Sequence, residues 1–183
     1  LLLERQNHPS GNLWRFRGHR LRHRFSITNR HDLRFPDRPS RERFSVGMDI
    51  TAVIKAIDNG RISLTHKELL GTWEENAALF SPGETVAGII RSVESYGAFV
   101  ELTPNLAGLA EIKEGISPGQ QASVYIKSII PSKMKVKLII VDTFQYDYRP
   151  CAPDYFYHEK HMDRFVYSPE SSEKLVETVF TSS

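Results

Sequence analysis

The side chains that could carry chemistry are mostly cationic, and they fall into two groups. Residues 1–43 hold 11 arginines, no lysine and four acids, which gives this segment a charge of +7. The rest of the chain carries −5, so the total of +2 hides a strong asymmetry. The second set consists of five cations between residues 91 and 137: Arg91, Lys127, Lys133, Lys135 and Lys137. Guanidinium and ammonium groups neutralise phosphates, so both sets of residues are candidate nucleic-acid contacts.

Each cationic group also has an explanation without a ligand. The arginine-rich segment could be a solvated tail of no specific use. The lysines could be an ordinary solvated sheet edge, where charge prevents pairing with other strands. The charge of −5 on residues 44–183 argues against strong non-specific binding by that portion alone.

Nothing in the chain matches a catalytic or cofactor-binding motif. The P-loop, HExxH and GxSxG patterns are all missing, so we expect no enzymatic activity and no cofactor. Cys151, His158 and His161 do not follow a known ligand spacing, so we expect no metal. A single cysteine rules out an internal disulfide, and no apolar stretch approaches the ~20 residues needed to span a bilayer. These features predict a soluble protein of a reducing compartment, most simply the cytoplasm.

The elements that must position the cations are mainly strands. Residues 47–65 predict a β-hairpin, because two strand-like runs flank the turn dipeptide at 59–60. Residues 67–80 predict a helix, with Thr72 as N-cap and Glu75 completing a capping box. Five further strand-like runs are separated by turn residues: Thr85–Val93, Tyr96–Leu102, Leu106–Ala110, Ala122–Ile130 and Lys135–Val141.

Five short strands in this span favour a small closed barrel over a sandwich. Gly97 would allow the second strand to coil sharply, or to bulge, at a barrel corner. An internal repeat supports the barrel. The pair Ile54-Lys55 recurs as Ile126-Lys127 at an offset of 72, and the run 61–64 is similar to 135–138 at an offset of 74. Residues 47–65 therefore look like the last two strands of an incomplete upstream barrel, although the sequence before them has no strand pattern.

Residues 84–111 resemble the S1 RNA-binding domain, the OB-fold repeat named after the largest protein of the bacterial small ribosomal subunit. The resemblance rests on Tyr-Gly-Ala-Phe-Val at 96–100, a following Gly-Leu strand and a fourth strand that begins at Gly119. The span 41–180 is most similar to the multi-domain S1-type proteins of Clostridia and related Firmicutes. The predicted fold class is all-β: a five-stranded OB-fold barrel of the S1 type, preceded by a remnant β-hairpin of a second barrel and a linker helix.

The resemblance implies a site for single-stranded RNA, such as mRNA, and makes the ribosome a candidate partner. Tyr96 and Phe99 would stack on bases, and Lys135 matches a basic position of the family. Strict alternation would place the two rings on opposite faces, whereas a bulge at Gly97 would bring them together. Glu111 departs from the pattern, because many S1 domains carry a histidine there and a carboxylate repels phosphate.

The arginine-rich segment has a third explanation. Residues 5–40, back-translated with permitted codons and read one base later, spell a family-like run that contains Phe-Gly-Ala-Phe-Val. We therefore predict that residues 1 to about 40 are a frameshifted translation, the alternative being a disordered basic arm taken as written. The absence of an initiating Met fits a fragment or a faulty gene model. The predicted domains are 1–43 basic segment, 44–66 incomplete barrel, 67–82 helical linker, 83–142 complete S1 domain and 143–183 aromatic-rich extension.

The extension leaves two roles open for its aromatic rings. We favour rings that wrap the barrel and become buried, over rings that extend a stacking platform. Residues 168–180 predict a short closing helix. For the whole chain, two functions compete: non-catalytic binding of single-stranded RNA in translation or RNA handling, and a structural or protein-interaction module on the same barrel. A non-functional fragment of a frameshifted gene is the third possibility.

Overall fold

The computed structural model describes residues 48–58, 61–145, 153–159 and 161–180, together with strand segments at 2–4, 13–17 and 25–27. The chain divides into two compact units. The first comprises residues 1–70, 149–165 and 177–183, and the second comprises residues 71–148 and 166–176. In the part of the chain that the structure describes, the helices fall short of the length and hydrophobicity of a membrane span.

The second unit is built on a closed five-stranded barrel, which confirms the predicted fold class. The barrel strands are β6 (Thr85–Glu94), β7 (Gly97–Thr103), β8 (Leu106–Ala110), β9 (Gln121–Ile130) and β10 (Lys135–Phe144). They run in the spatial order β10-β8-β7-β6-β9, and β10 closes the barrel against β9. The pair β8–β10 is parallel, and the other pairs are antiparallel.

Alternation of buried and outward residues builds the barrel core. Val124 and Ile126 on β9, like Val136 and Leu138 on β10, are at most 2% exposed, and the residues between them face outward. At Gly108 a Cβ atom would lie 2.6 Å from Leu138 Cδ1, so only glycine allows β8 and β10 to approach this closely. The pairing of β8 with β10 therefore depends on the missing side chain at Gly108.

A capped helix precedes the barrel, as the sequence predicts, but it is shorter than expected. A 3₁₀ turn covers Lys67–Leu70, and α1 covers Trp73–Ala77. The two are separated at Gly71, whose φ of +87° ends a continuous helix. Both hydrogen bonds of the predicted capping box are present: the Glu75 backbone N–H donates to Thr72 Oγ1 at 3.2 Å, and the Thr72 N–H donates to Glu75 Oε2 at 2.7 Å.

The first unit contains a five-stranded sheet around the predicted hairpin. β4 (Ile50–Asp58) and β5 (Arg61–Thr65) pair antiparallel, as predicted, and the turn residues 59–60 lie outside the described residues. The sheet order is β1-β2-β4-β5-β3, where β1 is Leu2–Glu4, β2 is Leu13–Arg17 and β3 is Phe25–Ile27. The sequence showed no strand period before residue 47. The free edges of the hairpin can pair with any extended backbone, so these short strands need no such period.

The strand registers of the two units reproduce the offsets of the predicted internal repeat. Ile54 pairs with Leu64 in the first unit, and Ile126 pairs with Leu138 in the second, at the predicted offsets of 72 and 74. Directly after these pairs, Lys55 and Lys127 each occupy an extra, unpaired position in the strand, which is a β-bulge. The pairing of β2 with β4 also matches that of β6 with β9 after a shift of 72 residues: Leu13 pairs with Val53, and Thr85 pairs with Tyr125. The repeat therefore extends to the first strand and to the bulge.

The C-terminal extension is divided between the units. In the first unit Tyr155, Tyr157 and Phe165 pack on a core cluster of Val53, Leu69, Met162 and Phe180. In the second unit Tyr167 is 5% exposed, and its hydroxyl donates to the Asn105 backbone O at 2.6 Å. The burial of these rings agrees with the expectation, but three of them belong to the core of the first unit, and Phe144 and Phe156 remain exposed.

The predicted closing helix is wrong. Residues 168–176 instead form turns and irregular backbone, and β12 (Glu177–Val179) pairs with β11 (Arg164–Val166). The Tyr167 N–H donates to the Val176 backbone O at 2.8 Å. A turned segment closed by backbone pairing therefore takes the place of the helix.

Candidate nucleic-acid interface

Two aromatic rings meet at the β6–β7 turn. Tyr96 lies in the two-residue turn between Glu94 and Gly97, which pair with each other, and its side chain is 60% exposed. Phe99 lies on β7 and is half-buried. The ring centroids are 6.1 Å apart and the rings are nearly perpendicular, at 85°. The structure therefore brings the two predicted stacking residues together, with Tyr96 projecting further into solvent.

The rings come together because Tyr96 lies in the turn, and not through the predicted bulge at Gly97. Tyr96 precedes β7, so the alternation of strand faces does not apply to it. A Cβ atom at Gly97 would lie 2.7 Å from the Ala110 backbone O and 2.8 Å from Leu109 Cδ1, so glycine lets β7 begin directly against β8. The bulge in this hairpin lies at Arg91 on β6, between the paired residues Ile90 and Ser92.

Phe99 continues into a row of outward side chains across three strands. It pairs with Leu109 on β8, and Leu109 pairs with Lys137 on β10. Adjacent strands lie about 4.8 Å apart, so Lys137 is about two strand spacings from Phe99. Lys135 is two residues earlier on β10 and faces the same side. Their sequence neighbours point inward and are buried: Ala98, Ala110, Val136 and Leu138.

Lys127 joins this face from β9, the other neighbour of β10. It occupies the bulge position opposite the Lys137–Leu138 step. Its Nζ lies 3.7 Å from Oε1 of Glu111, which follows the end of β8. The ion pair therefore spans β10, which lies between β8 and β9. The carboxylate that departs from the S1 pattern compensates one of the predicted phosphate ligands.

Arg91 has a carboxylate partner of its own. Its Nε and Nη2 donate to the two oxygens of Glu101 at 2.7 and 2.9 Å, and the two side chains are only 11% and 14% exposed. A bidentate, half-buried pair of this kind is a strong structural contact. The structure thus separates Arg91 from the other predicted phosphate ligands, because its charge is already matched across the β6–β7 ladder.

Lys133 lies in the tight turn that joins β9 to β10. The turn is a 3₁₀ segment, Pro131–Lys133, followed by Met134 in the left-handed conformation. Lys133 is exposed and only two residues from Lys135, so the turn places two cations at one end of the hairpin. Among the described residues, no group of His, Cys, Asp or Glu is placed to hold a metal ion, and Cys151 lies outside them.

Two members of this face were missed by sequence reasoning. Leu109 links Phe99 to Lys137, and Tyr125 is an outward ring on β9 that is 38% exposed. Alternation along β8 and β9 was the available signal, because both residues lie between buried neighbours. Their place beside the lysines depends on strand order, which the local sequence does not give.

Comparison with known proteins finds relatives but no matching family model. The small ribosomal subunit protein bS1 of Staphylococcus aureus is 34% identical over 116 residues, covering 56% of this chain and 30% of the relative. The bS1 protein of Chlamydia muridarum is 32% identical over 113 residues, covering 54% and 20% respectively. The chain thus spans less than a third of the bS1 proteins it matches. This distant homology to bS1 confirms the resemblance to the S1 family.

Two solved structures share local similarity with the chain. An uncharacterized protein of Methanocaldococcus jannaschii is 26% identical, with a TM-score of 0.31, and the match covers 32% of this chain and 89% of that one. A Streptococcus pneumoniae multidomain protein with nucleic acid binding domains is 18% identical, with a TM-score of 0.29, and the match covers 60% and 40%. At these scores neither structure bears on function.

Proposed function

We propose that the barrel of residues 83–142 binds single-stranded RNA and catalyses no reaction. The observation that carries the proposal is the contact between the Tyr96 and Phe99 rings, on the side of the barrel that also presents Lys137. An exposed ring at Tyr96 and a half-buried ring at Phe99 offer faces on which unpaired bases stack, and neighbouring ammonium groups neutralise the connecting phosphates.

Four lysines supply the positive charge in this proposal. Lys137 ends the row that runs from Phe99 through Leu109, and Lys135 lies two residues earlier on the same strand. Lys133 adds a cation at the hairpin turn, and Lys127 joins the site when Glu111 releases its ammonium group. Arg91 supports the site indirectly, because its pair with Glu101 holds β6 against the strand that carries Phe99. A few phosphate contacts imply moderate affinity that falls with salt, with a slope of about −0.7 per neutralised phosphate.

Homology to bS1 supports a setting in translation or RNA handling, with mRNA or a similar strand as ligand and the ribosome as a further partner. Such a role places the protein in the cytoplasm.

In the same proposal, residues 44–66 belong to an incomplete second barrel, 67–82 to a linker and 143–183 to an extension. Residues 1–43 remain the predicted frameshifted or basic segment. A single-base insertion or deletion in the source DNA near codon 40 would establish the frameshift.

The second candidate is a structural or protein-interaction module on the same barrel. It is favoured by the two carboxylates, Glu101 and Glu111, that already compensate cations of the candidate interface. It predicts a folded barrel with no affinity for RNA even at low salt.

Titration of the intact chain into labelled single-stranded RNA, monitored by fluorescence anisotropy, tests the proposal. We expect binding at about 50 mM salt that weakens towards 200 mM. The Tyr96→Ala/Phe99→Ala variant should lose about thirty-fold or more in affinity, since each stacked base contributes ~1–3 kcal/mol. Phe144→Ala removes another exposed ring of the same barrel and should bind like the wild type. No RNA-dependent signal at low salt would favour the interaction module.

A further inference from the structure

An outward ring on β9 continues the candidate interface beyond the predicted residues. Tyr125 is 38% exposed and pairs directly with Ile139 on β10, which is 39% exposed. On its own strand Tyr125 is two residues from Lys127, and Ile139 is two residues from Lys137. The outer surface of the β9–β10 hairpin therefore passes from cations into an apolar pair.

This apolar pair is continuous with the ring row. From Phe99 the outward residues run through Leu109 to Lys137, and one step along β10 leads from Lys137 to Ile139. Three strand spacings of about 4.8 Å and one two-residue step of about 6.6 Å separate Phe99 from Tyr125, so the diagonal over the outer surface is roughly 16 Å. Stacked nucleotides advance about 3.4 Å each, so a strand of about five nucleotides spans the two rings.

The chemistry between the two ends suits one ligand. A polynucleotide carries both apolar base faces and anionic phosphates, and this surface carries ammonium groups between two apolar ends. Lys137 lies on β10, between the strands of Phe99 and Tyr125, and Lys127 lies beside Tyr125 on β9, where the phosphates of a crossing strand would pass. A protein partner would gain from the apolar pair but would bury the Lys137 ammonium group, which is costly without a matching carboxylate.

We propose that Tyr125 is a further base-stacking residue, at the far end of a single-stranded RNA path that begins at Tyr96 and Phe99. The inference rests on the proposed function and adds the route that the RNA takes across the outer surfaces of β8, β10 and β9. It also predicts a site of about five nucleotides, within the range of about 4–16 found for single OB folds.

Oligouridylates of two lengths test this path. An oligonucleotide of about three nucleotides reaches only the Tyr96–Phe99 end, and one of about ten covers the whole face. Tyr125→Ala should weaken binding of the long oligonucleotide by about five-fold or more, and leave the short one unchanged. Chemical-shift titration of the intact chain measures both affinities, including weak ones.

Two matched variants separate stacking from a structural effect. Tyr125→Phe keeps the ring and should bind like the wild type. Phe144→Ala removes an exposed ring further along β10, opposite Gln121, and should also leave both affinities unchanged. An equal loss in Phe144→Ala, or an unchanged long-oligonucleotide affinity in Tyr125→Ala, would overturn the assignment of Tyr125. A wild-type chain that binds neither oligonucleotide would instead contradict the proposed function itself.

Discussion

Replacing Glu111 with glutamine should make this barrel bind RNA more tightly. Glu111 is 81% exposed, and its carboxylate lies 3.7 Å from the Lys127 ammonium group, which is 55% exposed. Glutamine keeps the size of the side chain but removes the charge. The change should free Lys127 for a phosphate and remove a repulsion from the same face.

The size of this effect follows from the exposure of the pair. Ion pairs between exposed side chains contribute ~0–1 kcal/mol, so releasing Lys127 costs the fold little. Up to 1 kcal/mol returned to binding corresponds to an affinity gain of about two- to five-fold. One additional neutralised phosphate should also steepen the salt dependence of log K by about 0.7. The slope is the sharper readout, because it counts phosphate contacts.

Anisotropy titrations over a series of salt concentrations measure both quantities. Glu170→Gln makes the same charge change at another exposed position of the second unit, and should alter affinity little and the slope not at all. An unchanged slope in Glu111→Gln, or equal gains in the two variants, would refute the inference that Lys127 is held back from the ligand.

Three predictions concern stability. Gly97→Ala should lower the free energy of unfolding in urea by about 3 kcal/mol, because the new Cβ would lie 2.7 Å from a backbone oxygen. Gly115→Ala has open space around the Cβ and should cost only about 1–2 kcal/mol, through its positive φ. Equal losses in the two variants would contradict this explanation. Thr72→Ala should cost about 1 kcal/mol in the same assay through loss of the cap, and an unchanged midpoint would show that the capping box is dispensable. Burial raises the pKa of Tyr167 above 10, so the folded state keeps the phenol neutral while the unfolded state ionises it, and stability is lost as the pH rises past about 10. Tyr167→Phe should therefore be less stable than the wild type by about 1 kcal/mol at pH 8, through loss of the bond to Asn105, and the difference should shrink above pH 10; a constant difference would contradict the shift.

The barrel was predictable because its signals are local. Alternation and turn residues place β8 at Leu106–Ala110 as observed, and the Lys135 start of β10 is also correct. The capping box at Thr72 needs only a four-residue pattern. The repeat offsets needed a comparison of two segments, and the strand registers reproduce both.

The parts that escaped prediction depend on which strands become neighbours. The Arg91–Glu101 pair joins residues ten apart whose contact depends on a bulge in β6. The Lys127–Glu111 pair crosses a strand that follows both residues in sequence. β11 pairs with β12 because residues 167–176 turn the chain back on itself, and neither three-residue strand has a period of its own.

Ultraviolet crosslinking of the intact chain to a uridine-rich oligonucleotide tests the central claim most directly, because it identifies the residues that touch the bases. We predict that mass spectrometry will find crosslinks at Tyr96 and Phe99, and that Tyr96→Ala/Phe99→Ala will abolish them. Crosslinks confined to the arginine-rich residues 1–43, with none between 92 and 109, would contradict the claim that this face of the barrel receives the RNA.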